Sequence, residues 1–266
     1  TAVNLTGTMT PSGITVSNET KAYGFGGAGY ISGDTSIIKQ GAGTLYITNY
    51  SVNDYTGVLN IEAGAVQVGD GSYAGNLSGG DVIDNGSLVL NRADAVTWPN
   101  TISGSGSVSK LGTGSLELSG GNSYDGATIV QAGTLKTSSG SALGSTVGAT
   151  TINSGATLDV NGSILGAEVV NISGPGDGSG AIVNSGADQI HALQNVNLLG
   201  DATIGGAGRW DIRSPNSHDP TQASLGTGGQ PFNLTKTGYN QISLVAAAEM
   251  ERPLATAPGI SVTFAR

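Results

Sequence analysis

The chain contains no cysteine. That absence removes disulfide cross-links, thiolate metal sites and cysteine nucleophiles together. Histidine occurs only at His191 and His218, with no His-Glu-x-x-His and no zinc-like spacing. Aromatic residues are 5% and charged residues 11% of 266 positions. The 10 lysines and arginines are scattered against 19 acids, giving a net charge of -9. Phosphate backbones are held by clustered cations, so nucleic acid is not expected as a partner. No run of 18 apolar residues exists to form a transmembrane helix, and Thr1-Ala2-Val3-Asn4 has neither the charged nor the apolar region of a signal peptide.

Glycine is abundant instead, at 45 residues, beside a hydrophobic content of 37%. The glycines punctuate short apolar alternations such as Thr157-Leu158-Asp159-Val160, as turns between strands do. Leu45-Tyr46-Ile47, Leu88-Val89-Leu90, Leu116-Glu117-Leu118 and Trp210-Asp211-Ile212 carry the same period of two, which places apolar side chains on one face. The fold class is all-β.

One pattern occurs twice. Lys39-x-Gly41-x-Gly43-Thr44-Leu45 corresponds to Lys110-x-Gly112-x-Gly114-Ser115-Leu116. Asn53-x-Tyr55-x-Gly57 corresponds to Asn122-x-Tyr124-x-Gly126, and Ala63-Gly64 to Ala132-Gly133. A truncated third copy starts at Lys236-x-Gly238 and runs to Leu244. A sandwich or barrel would also use closely spaced strands, but repeats of this length predict a parallel β-helix (β-solenoid) whose inward residues stack on their own equivalents. At roughly 20–25 residues per coil, about 11–13 coils are expected, and at about 4.8 Å per coil a rod roughly 55–60 Å long. The chain reads as a single β-helix domain over 1–266, with N-terminal coils or a cap at 1–35, repeat coils at 36–245 and a C-terminal cap or assembly segment at 246–266. Within that last segment, Ala246 to Arg252 reads as a short helix halted by Pro253, and Gly259 to Ala265 as a returning strand.

The repeat residues have structural explanations. Gly41, Gly43, Gly64, Gly112, Gly114 and Gly133 suit corners that need positive φ or close backbone approach, and Gly57 and Gly126 are read as repeat-defining structural residues beside them. Asn53 and Asn122 suit turns. Tyr55 and Tyr124 are expected to pack across a corner, the alternative being a pair of sugar-stacking platforms. No residue qualifies as catalytic or cofactor-binding: Ser103 to Ser107 is a turn run rather than a nucleophile elbow, and no glycine pair opens a phosphate-binding helix. Calcium is the one ion the composition raises, through Asp70, Asp81, Asp84 and Asp177 in glycine-rich turns. Without Gly-Gly-x-Gly-x-Asp nonapeptides, these read as solvated turn aspartates and no metal site is assigned.

Gly208-Arg209-Trp210-Asp211-Ile212-Arg213 is the most distinctive segment. On a strand, Arg209, Asp211 and Arg213 project together while Trp210 and Ile212 face inward. This wall, with His218 and Asp219 close in sequence, is the candidate ligand-facing surface. The alternative is a surface ion-pair ladder over a buried tryptophan.

The copy at Lys110, Gly112, Gly114, Leu116, Leu118, Gly120, Asn122, Tyr124, Gly126, Thr128, Val130, Gly133 and Leu135 resembles the autotransporter-associated β-strand repeat, also called the passenger-associated transport repeat. The copy at Lys39 departs from the pattern by two extra residues within Thr48 to Val52 and by Val66 in place of the last leucine. The resemblance implies a right-handed parallel β-helix, export to a bacterial surface or secretion, and adhesin-like passenger roles. It implies no catalytic residues. The expected function is a non-enzymatic structural stalk, adhesive surface or self-assembling filament subunit, joined end to end or bound to a host or cell-surface glycan or protein. The alternative is a carbohydrate-binding or polysaccharide-cleaving β-helix using the Arg209/Asp211/Arg213 wall.

Overall fold

Segments with an apolar residue at every second position form strands and bury the face that the alternation marks. In Ser36–Gln40, Ile37 and Lys39 are buried between half-buried neighbours; in Thr44–Ile47, Leu45 and Ile47 are buried. Ser87–Leu90, Ser107–Lys110 and Ser115–Leu118 repeat the pattern. A computed structural model describes residues 1–76, 79–216, 222–245 and 261–264 of the protein, the last stretch as backbone. Among these residues no helix occurs, and the strands stack in parallel as a β-solenoid of about 10 turns.

The solenoid has three faces. The first begins with Ala2–Leu5, Tyr23–Gly27, Thr44–Ile47 and Ala65–Val68, and continues through Ser87–Leu90 and Ser107–Lys110 to Ser224–Gly226. The second begins with Thr8–Met9 and Tyr30–Ile31. It is carried further on by Val96–Trp98, Ser115–Leu118 and Gly133–Thr137, ending at Asn233–Lys236 and Ser261–Phe264. The third begins with Gly13–Ser17, Ser36–Gln40, Leu59–Ile61 and Val82–Asp84, and ends with Trp210–Arg213 and Ile242–Val245. Ladders of equivalent residues fill the interior, as in Phe25, Ile47, Val68 and Leu90, then Val130, Ile152 and Ile172. Each buried aliphatic contributes roughly 1.5–3 kcal/mol before chain entropy is charged.

Coil length changes along the rod. Hydrogen bonds between neighbouring coils join residues 20 to 22 apart near Asn53 and Asn122, but 32 apart at Asp201 and Asp211. The longer late coils explain why the chain makes about 10 turns rather than the expected 11–13. At about 4.8 Å per turn the rod is roughly 50 Å long.

The motif copies do not stack on one another as expected. Lys39 lies on the third face between Val16 and Ile61, Lys110 on the first between Leu90 and Val130, and Lys236 on the second between Ile204 and Phe264. Each copy is rotated by one face from the last. The register is set by local ladder pairs, and these accept any aliphatic residue as a neighbour. The returning strand expected in the C-terminal segment is present at Ser261–Phe264, parallel to Asn233–Lys236. The helix expected at Ala246 to Arg252 lies outside the described residues.

Candidate functional surface

The residues that define the repeat point inward and join coils. Lys39 is buried, and its ammonium donates to the carbonyls of Gln40, Gly41 and Ala63 at 2.8, 2.6 and 3.2 Å. Lys110 does the same to Gly112 and Ala132 at 2.6 and 2.8 Å, and Lys236 to Gly238 at 2.5 Å. A charged donor thus satisfies corner carbonyls, one of which, that of Gln40, also accepts from Asn18 N–H at 3.1 Å. Burial lowers the Lys110 ammonium to about 8. Asn122 accepts from Ile102 N–H at 2.9 Å and donates to the Ala142 carbonyl at 2.6 Å, clamping three coils. Asn53 repeats this with Ile31 and Asn76 at 3.0 and 2.8 Å.

Tyr55 and Tyr124 are fully buried, so the packing reading holds and neither can stack a sugar. Burial pushes both phenols above their ordinary range. The Tyr124 hydroxyl is 2.6 Å from Thr128 Oγ1. Among the glycines, Gly41 takes φ +74°, a left-handed value that a side chain resists. Gly126 is needed for space, because a Cβ there would overlap the Gly106 carbonyl of the coil below.

The structure does bring Arg209, Asp211 and Arg213 together. Asp211 is buried, and Arg209 and Arg213 reach it at 2.8 and 2.9 Å; Ser243 N–H donates to it at 3.1 Å. Burial pushes the Asp211 carboxyl up, but the hydrogen bonds from both arginines outweigh it and hold the group below its ordinary value. Trp210 and Ile212 face inward, and the indole N–H donates to the Gly205 carbonyl at 2.8 Å. Asp211 is therefore a buried ion-pair centre, and the outward wall consists of two partly exposed guanidinium groups, the Nε of Arg213 being buried without a partner. His218 and Asp219 lie outside the described residues, and His191 is exposed on another coil. Beside the wall, the corner formed by Asn184, Gly206 and Gly238 lines an open crevice of about 340 Å³.

The turn aspartates are occupied by backbone donors, local for Asp70, Asp84 and Asp177 and from the next coil for Asp81. Asp70 accepts from Ser72 N–H at 3.0 Å, Asp81 from Thr101 N–H at 2.9 Å, Asp84 from Gly86 N–H at 2.9 Å and Asp177 from Ser179 N–H at 3.0 Å. Among the described residues, no three His, Asp or Glu side chains gather into a metal-binding group. Two buried carboxyls stand out. Asp84 has one oxygen without a partner, and Glu168 is hydrogen-bonded to Thr150 at 2.8 Å. Burial raises them to about 6 and about 7.

Large exposed apolar side chains lie elsewhere than the sequence candidates, Tyr239 and Val147 singly among them. Tyr50, Val52 and Tyr73 project into solvent from two successive coils, Tyr50 being 75% and Tyr73 72% exposed. The sequence signal for the first pair was the two-residue departure from the repeat within Thr48 to Val52.

Comparison with known proteins agrees with this architecture. Residues 37–68 and 108–136 match the passenger-associated-transport-repeat family model. Over 99 residues the chain is 33% identical to "Adhesin BmaC autotransporter" of Brucella suis biovar 1 (strain 1330). The matched region is 37% of this chain and only 3% of that adhesin. No solved structure matches the chain. Two stretches of the chain thus match the passenger-associated transport repeat.

Proposed function

We propose that this chain is a non-enzymatic, adhesin-like rod of a bacterial surface or secreted protein. The observation that carries this reading is where the repeat spends its polar residues. Lys39, Lys110, Asn53 and Asn122 are all buried between coils, satisfying backbone groups. The side chains that mark the family therefore build a shaft, and contact with a partner falls to outward residues between them. The similarity to an adhesin supports the same role. No helix among the described residues is long and apolar enough to cross a membrane.

The test is adherence. Beads coated with the chain are expected to attach to cells more than beads coated with an unrelated solenoid; equal attachment would sink the adhesive role. Assembly into filaments is a further part of the proposal. Ala2–Leu5, Thr8–Met9 and Gly13–Ser17 pair in parallel with the coil that follows them, and strand edges of this kind can pair with a further strand. Electron microscopy over a concentration series should show rods lengthening by end-to-end contact, and isolated short rods throughout would remove this part. A second reading, sugar-acid binding or cleavage at Arg209 and Arg213, draws on the partial exposure of their two guanidinium groups. Unchanged glycan binding and turnover in R209A/R213A would eliminate it.

A further inference from the structure

At the corner between the first and second faces, two coils carry arches that the shaft does not need. In the second copy the equivalent stretch, at the corner between the second and third faces, is closed by Ser119-Gly120-Gly121 before the clamping Asn122. The first copy inserts a longer arch, Tyr50-Ser51-Val52, between Asn49 and Asn53. Its two feet are buried and hydrogen-bonded to each other in both directions, at 3.1 and 2.9 Å. Ser51 Oγ fastens the tip to the Ala28 carbonyl at 2.6 Å.

The next coil carries a second arch directly above. Gly69 N–H and Gly75 N–H donate to the carbonyls of Ile47 and Asn49, both at 2.9 Å, so the feet stand on either side of Thr48. Between them Asp70 binds Ser72 N–H and Oγ, Ala74 is buried, and Tyr73 points out. Arg92 donates to the Gly75 carbonyl and pairs with Asp94 at 2.7 Å. Both arches are fixed by buried or cross-coil hydrogen bonds, yet each presents a phenol that contributes nothing to the core.

We propose that Tyr50 and Tyr73 form a carbohydrate-binding edge that takes neutral sugar rings against their faces. This deepens the adhesive reading and rests on it. Tyrosine supplies rigid amphipathic contact area at small conformational cost, and fastened arches have already lost the entropy that mobile loops would lose on binding. The rim supplies hydroxyl and carboxylate groups from Ser51, Asp54, Ser72 and Asp70, which suit a ligand rich in hydroxyl donors. The neighbouring cation, Arg92, is committed to Asp94 and Gly75. An acidic, sulfated or phosphorylated ligand would meet like charge without a free counter-charge, so neutral sugars are selected.

The test applies the whole chain to a printed array of neutral and anionic oligosaccharides, alongside Y50A/Y73A and Y50F/Y73F. Wild type should retain neutral oligosaccharides, Y50A/Y73A should lose about tenfold or more in affinity, and Y50F/Y73F should keep most of it because the ring face makes the contact. Thermal melts of all three should coincide, since neither phenol is packed. Binding to anionic sugars alone, to none, or undiminished binding by Y50A/Y73A would overturn the assignment. Bead adherence run in parallel separates the two levels. Adherence that persists on glycan-stripped cells or in Y50A/Y73A refutes the sugar edge and leaves the adhesive rod standing, whereas no adherence by wild type refutes the rod's role itself.

Discussion

Asp84 and Glu168 are carboxyls placed in a core that offers them no cation, and burial raises both above their ordinary values, to about 6 and about 7. A raised carboxyl stabilises the folded state while protonated, so its contribution is complete below about pH 4 and is lost as pH climbs through 6 and then 7. The rod should therefore melt at higher temperature at pH 5 than at pH 8, by an amount of order 1–3 kcal/mol per group. D84N/E168Q should flatten that slope, and a slope unchanged in the double variant would show that other groups set it. The Asn clamps act differently. Asn122→Ala leaves the buried Ile102 N–H and Ala142 carbonyl without their partner, a loss of about 2–4 kcal/mol readable by urea unfolding. A change under half a kilocalorie, on the order expected of surface positions, would refute the clamp.

Coils tolerate added atoms very unevenly. A Cβ at Gly126 would overlap backbone atoms of Gly106 and Ser107, whereas one at Gly7 meets nothing within 4 Å. Gly126→Ala should cost about 2–3 kcal/mol and Gly7→Ala close to nothing. Equal stabilities in thermal melts would contradict the close coil approach. The same scale explains the rotation of the motif. Its lysine reaches the carbonyl two residues on, Gly41, Gly112 or Gly238, so the clip is local to a corner. Any of the three corners can carry it. The two-residue insertion ending before Asn53 and the tight turn before Asn122 likewise show that a corner accepts extra chain outward, provided the amide clamp stays inside.

For the molecule as a whole, each coil contacts mainly its neighbours, and stability is a sum of coil and interface terms. The short coils near Asn122 with complete ladders should hold longest. The first coil, where Val3 and Met9 are partly exposed and strands pair on one side, should open first. Hydrogen exchange should rank Ala2–Leu5 far below Ser115–Leu118 in protection; uniform protection would imply a single cooperative unit instead. Small-angle scattering should report a rod near 50 Å from about 10 turns. A globular profile would refute the solenoid.

Much of this was legible in the chain itself. Period-two alternation in Ser36–Gln40 and Ser115–Leu118, glycine at the corners and a repeated Lys-x-Gly-x-Gly pattern determine parallel coils, because each feature acts within one turn of chain. The packing of Tyr55 and Tyr124 was legible for the same reason. Three matters were decided only by the tertiary structure. Which face each motif copy occupies depends on the summed length of every coil before it, so Lys39 and Lys110 share a pattern and not a ladder. Whether Asp211 faces out depends on Arg209, Arg213 and the Ser243 N–H one coil away, which together draw a strand-surface carboxylate into a buried ion pair. That the arches of Tyr50 and Tyr73 share one corner on successive coils follows from stacking Gly69 and Gly75 on Ile47 and Asn49. Residues so placed are neighbours through the coil spacing, a distance that separation along the chain does not encode.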